Sequence, residues 1–236
     1  MAEKEGKITA DVIPNSPVTP IVQLRNLKFA YKGRPPVFEG LSLVFRQEEK
    51  IGITGPNGSG KSTLFLVLMG FLHPQEGEVE ILGSLCKTES DFAMIRPALG
   101  MVFQNSDHQL FSTTILEDVA FGPINLGRTS GEAEKIALRE IARFGLAGME
   151  NRPPNALSEG EKRRAALAGV MAMEPKALLL DEPFSGLDES SSGMLEEFLE
   201  SKAPPFILID HNRKRLDTLC DKILVLKNGR FQNNNS

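Results

Sequence analysis

A chain that carries Gly55-Pro56-Asn57-Gly58-Ser59-Gly60-Lys61-Ser62-Thr63 has little freedom about what surrounds those residues. They fit G-x-x-x-x-G-K-[ST] without a mismatch, a pattern that works only between a strand and a helix. Both flanks are present. Ile51 and Ile53 bracket Gly52 in a short apolar run that predicts a buried strand, and Leu64 to Met69 continue as an apolar helix. Glycines at 55, 58 and 60 permit positive φ and a close backbone approach. The loop amides and the positive end of the helix then converge on one point, which makes an anion site. Lys61 adds a mobile cation for the outer phosphates, and Ser62 a hydroxyl for Mg²⁺. The segment reads as a nucleoside triphosphate site.

Composition narrows the context. The 236 residues are 41% apolar and 25% charged, enough for a substantial α/β core. A net charge of −4 gives no nucleic-acid footprint. Cys86 and Cys220 are too far apart in sequence and too few to form a disulfide framework, which points to a reducing compartment. The longest apolar stretch, around Leu64 to Leu72, falls short of the roughly 20 residues that cross a bilayer. Met1 to Lys7 show no apolar signal region. The expectation is a cytoplasmic chain that reaches a membrane only through a partner.

Along the chain, residues 1–20 are charged and then rich in Pro, Ser and Thr, the composition of a flexible arm. Ile21 to Tyr31 and Leu41 to Phe45 predict strands around a Gly33-Arg34-Pro35-Pro36 turn. Tyr31, the sole tyrosine, is either a half-buried anchor or a stacking platform for a base. His73-Pro74 is expected to stop the loop helix, and Gly77 to Gly83 to form an edge strand. Leu99 to Phe103 predict a short buried strand leading into Gln104. From about 112 to 173 helical patterns dominate, with breaks at Gly122-Pro123 and at 151–155, so a helical insert between two strands is expected. Its last helix opens on Ser158-Glu159-Gly160-Glu161, a capping box whose free amides can also hold an anion. Ala177 to Asp181 read as a buried parallel strand that ends in Asp181 and Glu182. Ligands sit at the carboxyl ends of such strands. Asp181 suits Mg²⁺, and Glu182, one residue further, suits orienting or deprotonating a water. Phe206 to Asp210 form another buried strand, ending at His211. Lys222 to Phe231 contain an Asn228-Gly229 hairpin turn, and residues 232–236 are expected to fray.

Over residues 21–231 these pieces resemble the ATP-binding subunits of ABC transporters, in that family's order. They are the phosphate loop at 55–63, Gln104 of the Q-loop, and the signature segment Leu157-Ser158-Glu159-Gly160-Glu161. The Walker B acid Glu182, the D-loop Ser185-Gly186-Leu187-Asp188 and the switch histidine His211 follow. The segments Val102 to Phe111, Glu117 to Gly127 and Lys162 to Val170 are similar to the energy-coupling-factor (ECF) importers of nickel, cobalt or vitamins. The resemblance implies a P-loop NTPase (RecA-like) α/β core with an N-terminal antiparallel β subdomain and an inserted α-helical subdomain. It implies ATP and Mg²⁺ as cofactors, with Mg²⁺ on Ser62, Gln104 and Asp181 and adenine on Tyr31. Lys61, Glu182 and His211 become the catalytic set, with His211 on the γ-phosphate. The signature segment serves the facing subunit's ATP in a head-to-tail homodimer or heterodimer.

A transmembrane coupling subunit and a substrate-binding membrane subunit are the implied partners, at the cytoplasmic face of the membrane. His108, Leu110 and Phe111 are the expected contacts. Glu159 and Glu161 depart from the usual Leu-Ser-Gly-Gly-Gln. The expectation is that Glu159 turns its carboxylate away from the nucleotide and that Glu161 caps its helix. Rival readings are a soluble ABC ATPase, and a P-loop kinase or GTPase. The second leaves Gln104 and 157–161 without purpose.

Overall fold

The structure is a computed structural model, and residues 19–232 of it are described; the proposed arm, apart from Thr19 and Pro20, and the tail beyond Gln232 lie outside them. A six-stranded sheet runs β10-β9-β3-β8-β7-β6, built from β3 (Lys50–Thr54), β6 (Leu99–Val102), β7 (Ala177–Asp181), β8 (Phe206–Ile209), β9 (Lys222–Lys227) and β10 (Arg230–Gln232). All neighbours are parallel except the β9–β10 hairpin. A four-stranded antiparallel sheet, β2-β1-β4-β5, joins β1 (Val22–Ala30), β2 (Pro36–Phe45), β4 (Glu76–Ile81) and β5 (Ser84–Cys86).

The unbroken apolar runs of the parallel strands follow from burial on both faces. Ala177, Leu179, Ile207 and Ile209 point into one core, shared with α1 (Lys61–Leu68) and the antiparallel sheet. Leu178, Leu180, Phe206 and Leu208 alternate with them into a second core. That core is shared with α3 (Ile115–Asn125), α4 (Ser130–Arg143), α5 (Glu159–Met171), α6 (Glu189–Ser201) and α7 (Arg213–Leu219). Helices α3 to α5 lie between β6 and β7 in sequence, so the helical insert is present. Threonine or serine capping boxes begin α3, α4 and α5, and another begins α2 (Glu89–Ile95).

Several boundaries differ from the sequence expectation. The loop helix ends at Leu68, not at His73-Pro74, because Gly70 takes φ 74° and the amides of Phe71 and Leu72 turn back to the Leu66 carbonyl. Strand β4 is no edge: it pairs with β1 on one side and β5 on the other. Helix α3 continues through Gly122-Pro123 to Asn125, with Gly122 packed against Met173. Gln232 pairs with Val225 instead of fraying. Helices α2 and α7 had no counterpart in the sequence reading.

The insert rests on β6 through a glycine. A methyl group on Gly100 would stand 2.3 Å from Val170 Cγ1 of α5 and 2.9 Å from Leu178 Cδ2. Gly100→Ala is therefore expected to destabilise the chain by about 1–3 kcal/mol through overpacking. Denaturant unfolding measures this, and an unchanged midpoint contradicts the close α5–β6 approach.

Candidate functional site

Four strands deliver their carboxyl ends to one edge of the parallel sheet. Strand β3 leads into the phosphate loop, β6 into Gln104, β7 into Glu182 and β8 into His211. Together they line an open cleft of about 1240 Å³ that also takes in Tyr31 and the hairpin at 227–229.

The loop conformation depends on glycine at both ends. Gly55, at φ 149°, sits so close to β9 that a Cβ would fall 2.2 Å from the Leu226 carbonyl oxygen. Gly60, at φ 101°, is the N-cap of α1 and packs on Val37 and Phe38. Lys61 is buried, and its ammonium curls back to donate to the carbonyls of Gly55 (3.0 Å) and Pro56 (3.2 Å). Pro56, Asn57, Gly58, Ser59, Ser62 and Thr63 complete the cleft wall.

Glu182 is the centre of the site. Its backbone adopts φ 46°, a left-handed conformation that costs a branched-free acid about 1–3 kcal/mol. The amide donates to Ile209 O at 3.0 Å, which holds the turn against β8. The carboxylate is then presented to two partners. Gln104 Nε2 donates to Oε2 at 3.0 Å, and His211 Nε2 lies 2.6 Å from Oε1. The three residues that the sequence set at three separate strand ends thus form one contact chain.

Asp181 lies just behind, 5% exposed, with the Ser62 hydroxyl near enough to act on its carboxylate. This hydroxyl and carboxylate are hard oxygen donors, the set that Mg²⁺ takes alongside waters and phosphates. Among the described residues no group of three or more His, Cys, Asp and Glu gathers as an all-protein metal cage. Burial raises the Asp181 carboxyl above its ordinary value, and Ser62 opposes the rise. A carboxyl with a raised folded pKa binds its proton more tightly when folded, so stability falls as pH rises from the ordinary carboxylate range through the raised value.

Tyr31 is half-buried, with its hydroxyl 3.1 Å from Thr63 Oγ1 and its ring edge-on to Phe29. Gln75 secures the residue before it: Ala30 N donates to Gln75 Oε1 at 2.8 Å, and Gln75 Nε2 donates to Ala30 O at 2.9 Å. Sequence reasoning missed this clamp, and it missed the Lys227-Asn228-Gly229 wall, because both depend on pairings between distant strands.

Among the described residues lining the cleft, none comes from 157–161 or 185–188. Ser158 caps α5, accepting from Glu161 N at 3.3 Å while its own amide donates to Glu161 Oε2 at 2.7 Å. That amide bond holds the Glu161 carboxyl below the usual range. Glu159 accepts from Lys162 at 3.1 Å along the flank of the helix. Leu157 and Gly160 face inward, Gly160 so near Ser191 that a Cβ would lie 2.3 Å from its hydroxyl. Ser185 and Gly186 are exposed, Leu187 is partly covered, and Asp188 caps α6 through Ser191 N at 2.7 Å. Asp210, beside the histidine, is buried on Arg215, whose guanidinium lies 4.0 Å over the Phe184 ring. Leu110, expected as a partner contact, is 9% exposed and packs in the second core. The polar residues around it hid its inward register. His108 and Phe111 are exposed.

A glycine loop, strand-end acids and a histidine on one parallel-sheet edge define a P-loop nucleotide hydrolase. Residues 38–185 match the family model described as ABC transporter, and the chain belongs to that family as an ATP-binding subunit, an ATPase. It is 41% identical over 213 residues to the energy-coupling factor transporter ATP-binding protein EcfA of Methanothermobacter thermautotrophicus, covering 89% of this chain and 68% of that protein. The EcfA of Methanocaldococcus jannaschii is 39% identical over 215 residues, covering 89% and 77%. Among solved structures, cbiO1 from Clostridium perfringens, part of the cbiONQ complex, superposes with a TM-score of 0.81 at 31% identity, covering 91% of this chain and 88% of that one. The ATP-binding cassette MJ0796, solved as a dimer bound to ADP and Pi, gives a TM-score of 0.79 at 27% identity, covering 90% and 97%.

Replacing Asp181 by Asn removes the buried charge. The nucleotide-free protein is expected to melt at a higher temperature near neutral pH and Mg²⁺-dependent hydrolysis to be lost. A lower melting midpoint in calorimetry contradicts the desolvation argument.

Proposed function

We propose that this chain hydrolyses ATP to power an ECF-type importer at the cytoplasmic face of the membrane, working as a head-to-tail pair of cassettes. One observation carries the reading. Glu182 is held between Gln104 and His211 at a cleft that the chain's own signature segment does not reach. A second copy supplies the missing wall: Ser158 and the amides at the start of its α5 close over the triphosphate. Every group the composite site needs is on this chain, so two identical copies make two whole sites. The dimeric state of MJ0796 supports the arrangement.

In that pair the phosphates lie on the loop amides and Lys61, with Mg²⁺ held by Ser62, Gln104 and Asp181. Phosphoryl transfer to water needs positioning and charge neutralisation more than covalent help. Glu182 orients the water and takes its proton; His211 contacts the γ-phosphate and fixes the Glu182 carboxylate. Tyr31 meets the adenine. Glu182→Gln keeps the size of the side chain but removes the base, so turnover is expected to fall by about 10²–10⁴-fold while ATP drives the chain into a stable pair. Phosphate release and gel filtration read the two effects; normal turnover, or a monomer with saturating ATP, overturns the assignment.

Coupling to a membrane subunit runs through the surface after Gln104. Phe111 is 67% exposed and stacks edge-on with Phe121 at 4.9 Å, and Ile124 and Leu126, at the end of the helix that carries Phe121, are also exposed. Apolar residues gathered in this way mark an interaction site, and among the described residues no helix is long and apolar enough to cross a membrane itself. Phe111→Asp is expected to release the chain from detergent-solubilised membranes while sparing nucleotide binding; retained, coupled uptake contradicts this. The solute we favour is a divalent metal ion, nickel or cobalt, on likeness to cbiO1 of the cbiONQ complex. Uptake of labelled Ni²⁺ or Co²⁺ that depends on this chain supports it, and dependence of biotin uptake instead assigns a vitamin.

A further inference from the structure

We propose that Arg163 is a positioning residue that couples the two ends of the composite site, by tying the helix behind Ser158 to the main chain of Gln104. The inference rests on the head-to-tail reading and deepens it. Arg163 lies on α5 about 7.5 Å along the axis from Ser158, and it is 3% exposed. Its Nη1 donates to the carbonyl of Phe103, and its Nη2 donates to the carbonyl of Gln104 at 2.6 Å. Two successive carbonyls match the rigid fork of a guanidinium, a geometry that a lysine ammonium does not reproduce. Beyond them the Gln104 side chain donates to Glu182. Direct contacts therefore run from the segment that meets the facing subunit's nucleotide to the group that activates water in this one.

Neither neighbouring base makes this connection. Arg164 donates to Ser191 of α6, and Lys162 bonds Asp107 at 2.7 Å on the outer side of the loop. Lys162 thus fastens the loop after Gln104 to the same helix, so the loop follows α5 at both points. Arg163 bonds only neutral carbonyls, its Nε has no partner among the described residues, and the Asp181 and Glu159 carboxylates favour its charge from nearby. The desolvation of a buried guanidinium offsets much of what such contacts gain, so Arg163 is a poor source of net stability, although removing it leaves two carbonyls without this donor. What the guanidinium provides here is position.

In the nucleotide-bound pair, closure moves α5 against the facing triphosphate. Arg163 passes that displacement to Gln104 and so sets the Gln104–Glu182 contact. A site whose own α5 has not closed on the facing triphosphate keeps Gln104, and with it Glu182, out of register for attack.

The test measures ATP hydrolysis, ATP affinity and melting for Arg163→Met and Arg163→Lys, and ATP-driven pairing of each in a Glu182→Gln background. Arg163→Met is expected to keep its KM and ATP-driven pairing and to melt only slightly lower, but to lose about tenfold in kcat, a typical coupling factor. Arg163→Lys is expected to recover part of that loss. Parental kcat in Arg163→Met overturns the proposal, as does a loss matched by an equal fall in melting that lysine does not relieve. If Arg163→Met does not fold, Arg163→Lys decides: lowered kcat at unchanged KM supports coupling, and parental kcat overturns it. Failure of Glu182→Gln itself to pair with ATP overturns the head-to-tail reading instead.

Discussion

The parallel pairing of β3 with β8, and of β8 with β7, puts Ile53, Ile209 and Asp181 at one level of the sheet. The residues that follow emerge together, so Gly55, His211 and Glu182 meet although more than a hundred residues separate the first from the last. Side-chain direction alternates along each strand, and a slip of one residue would exchange the two buried faces. Both faces are filled, which makes the register costly to change. The left-handed backbone of Glu182 is tolerated in this frame because its amide is held by Ile209 O.

The helical insert is fastened to the sheet and to the loop that carries Gln104. It is anchored on β6 through Gly100, on α6 through Gly160 and Arg143, and on the loop after β6 through Arg163 and Lys162. Its signature end faces away from the cleft of its own chain. The proposed pair of copies would resolve that geometry, and the loop carrying Gln104 is where the insert and the strand-end cluster are joined.

Much of this was legible in the residues. The phosphate loop announced itself through spacing alone, and the strand-end acids and His211 followed from apolar runs that stop at polar groups. The capping box at Ser158 to Glu161 formed as its pattern requires. What stayed hidden depends on contacts distant in sequence. The central place of β4 required knowing that it pairs with β1, some fifty residues earlier. The Gln75 clamp and the hairpin wall needed strand order. Leu110 was misread because Leu110 and Phe111 are an apolar pair in a polar loop, too short for periodicity to tell which of the two turns inward. Gly70 ended the loop helix before His73-Pro74 could, a choice settled by its αL turn and its close packing on Phe92. Arg163 stands in the cationic run Lys162-Arg163-Arg164, and nothing in that run marks it as the buried member.

The central claim is that hydrolysis needs a wall from the neighbouring copy. A structure of the Glu182→Gln chain saturated with ATP and Mg²⁺ addresses it most directly. The account predicts Ser158 of one copy about 3 Å from a phosphate oxygen held by the other copy's glycine loop. Ser158 remote from every triphosphate in such a structure would contradict it.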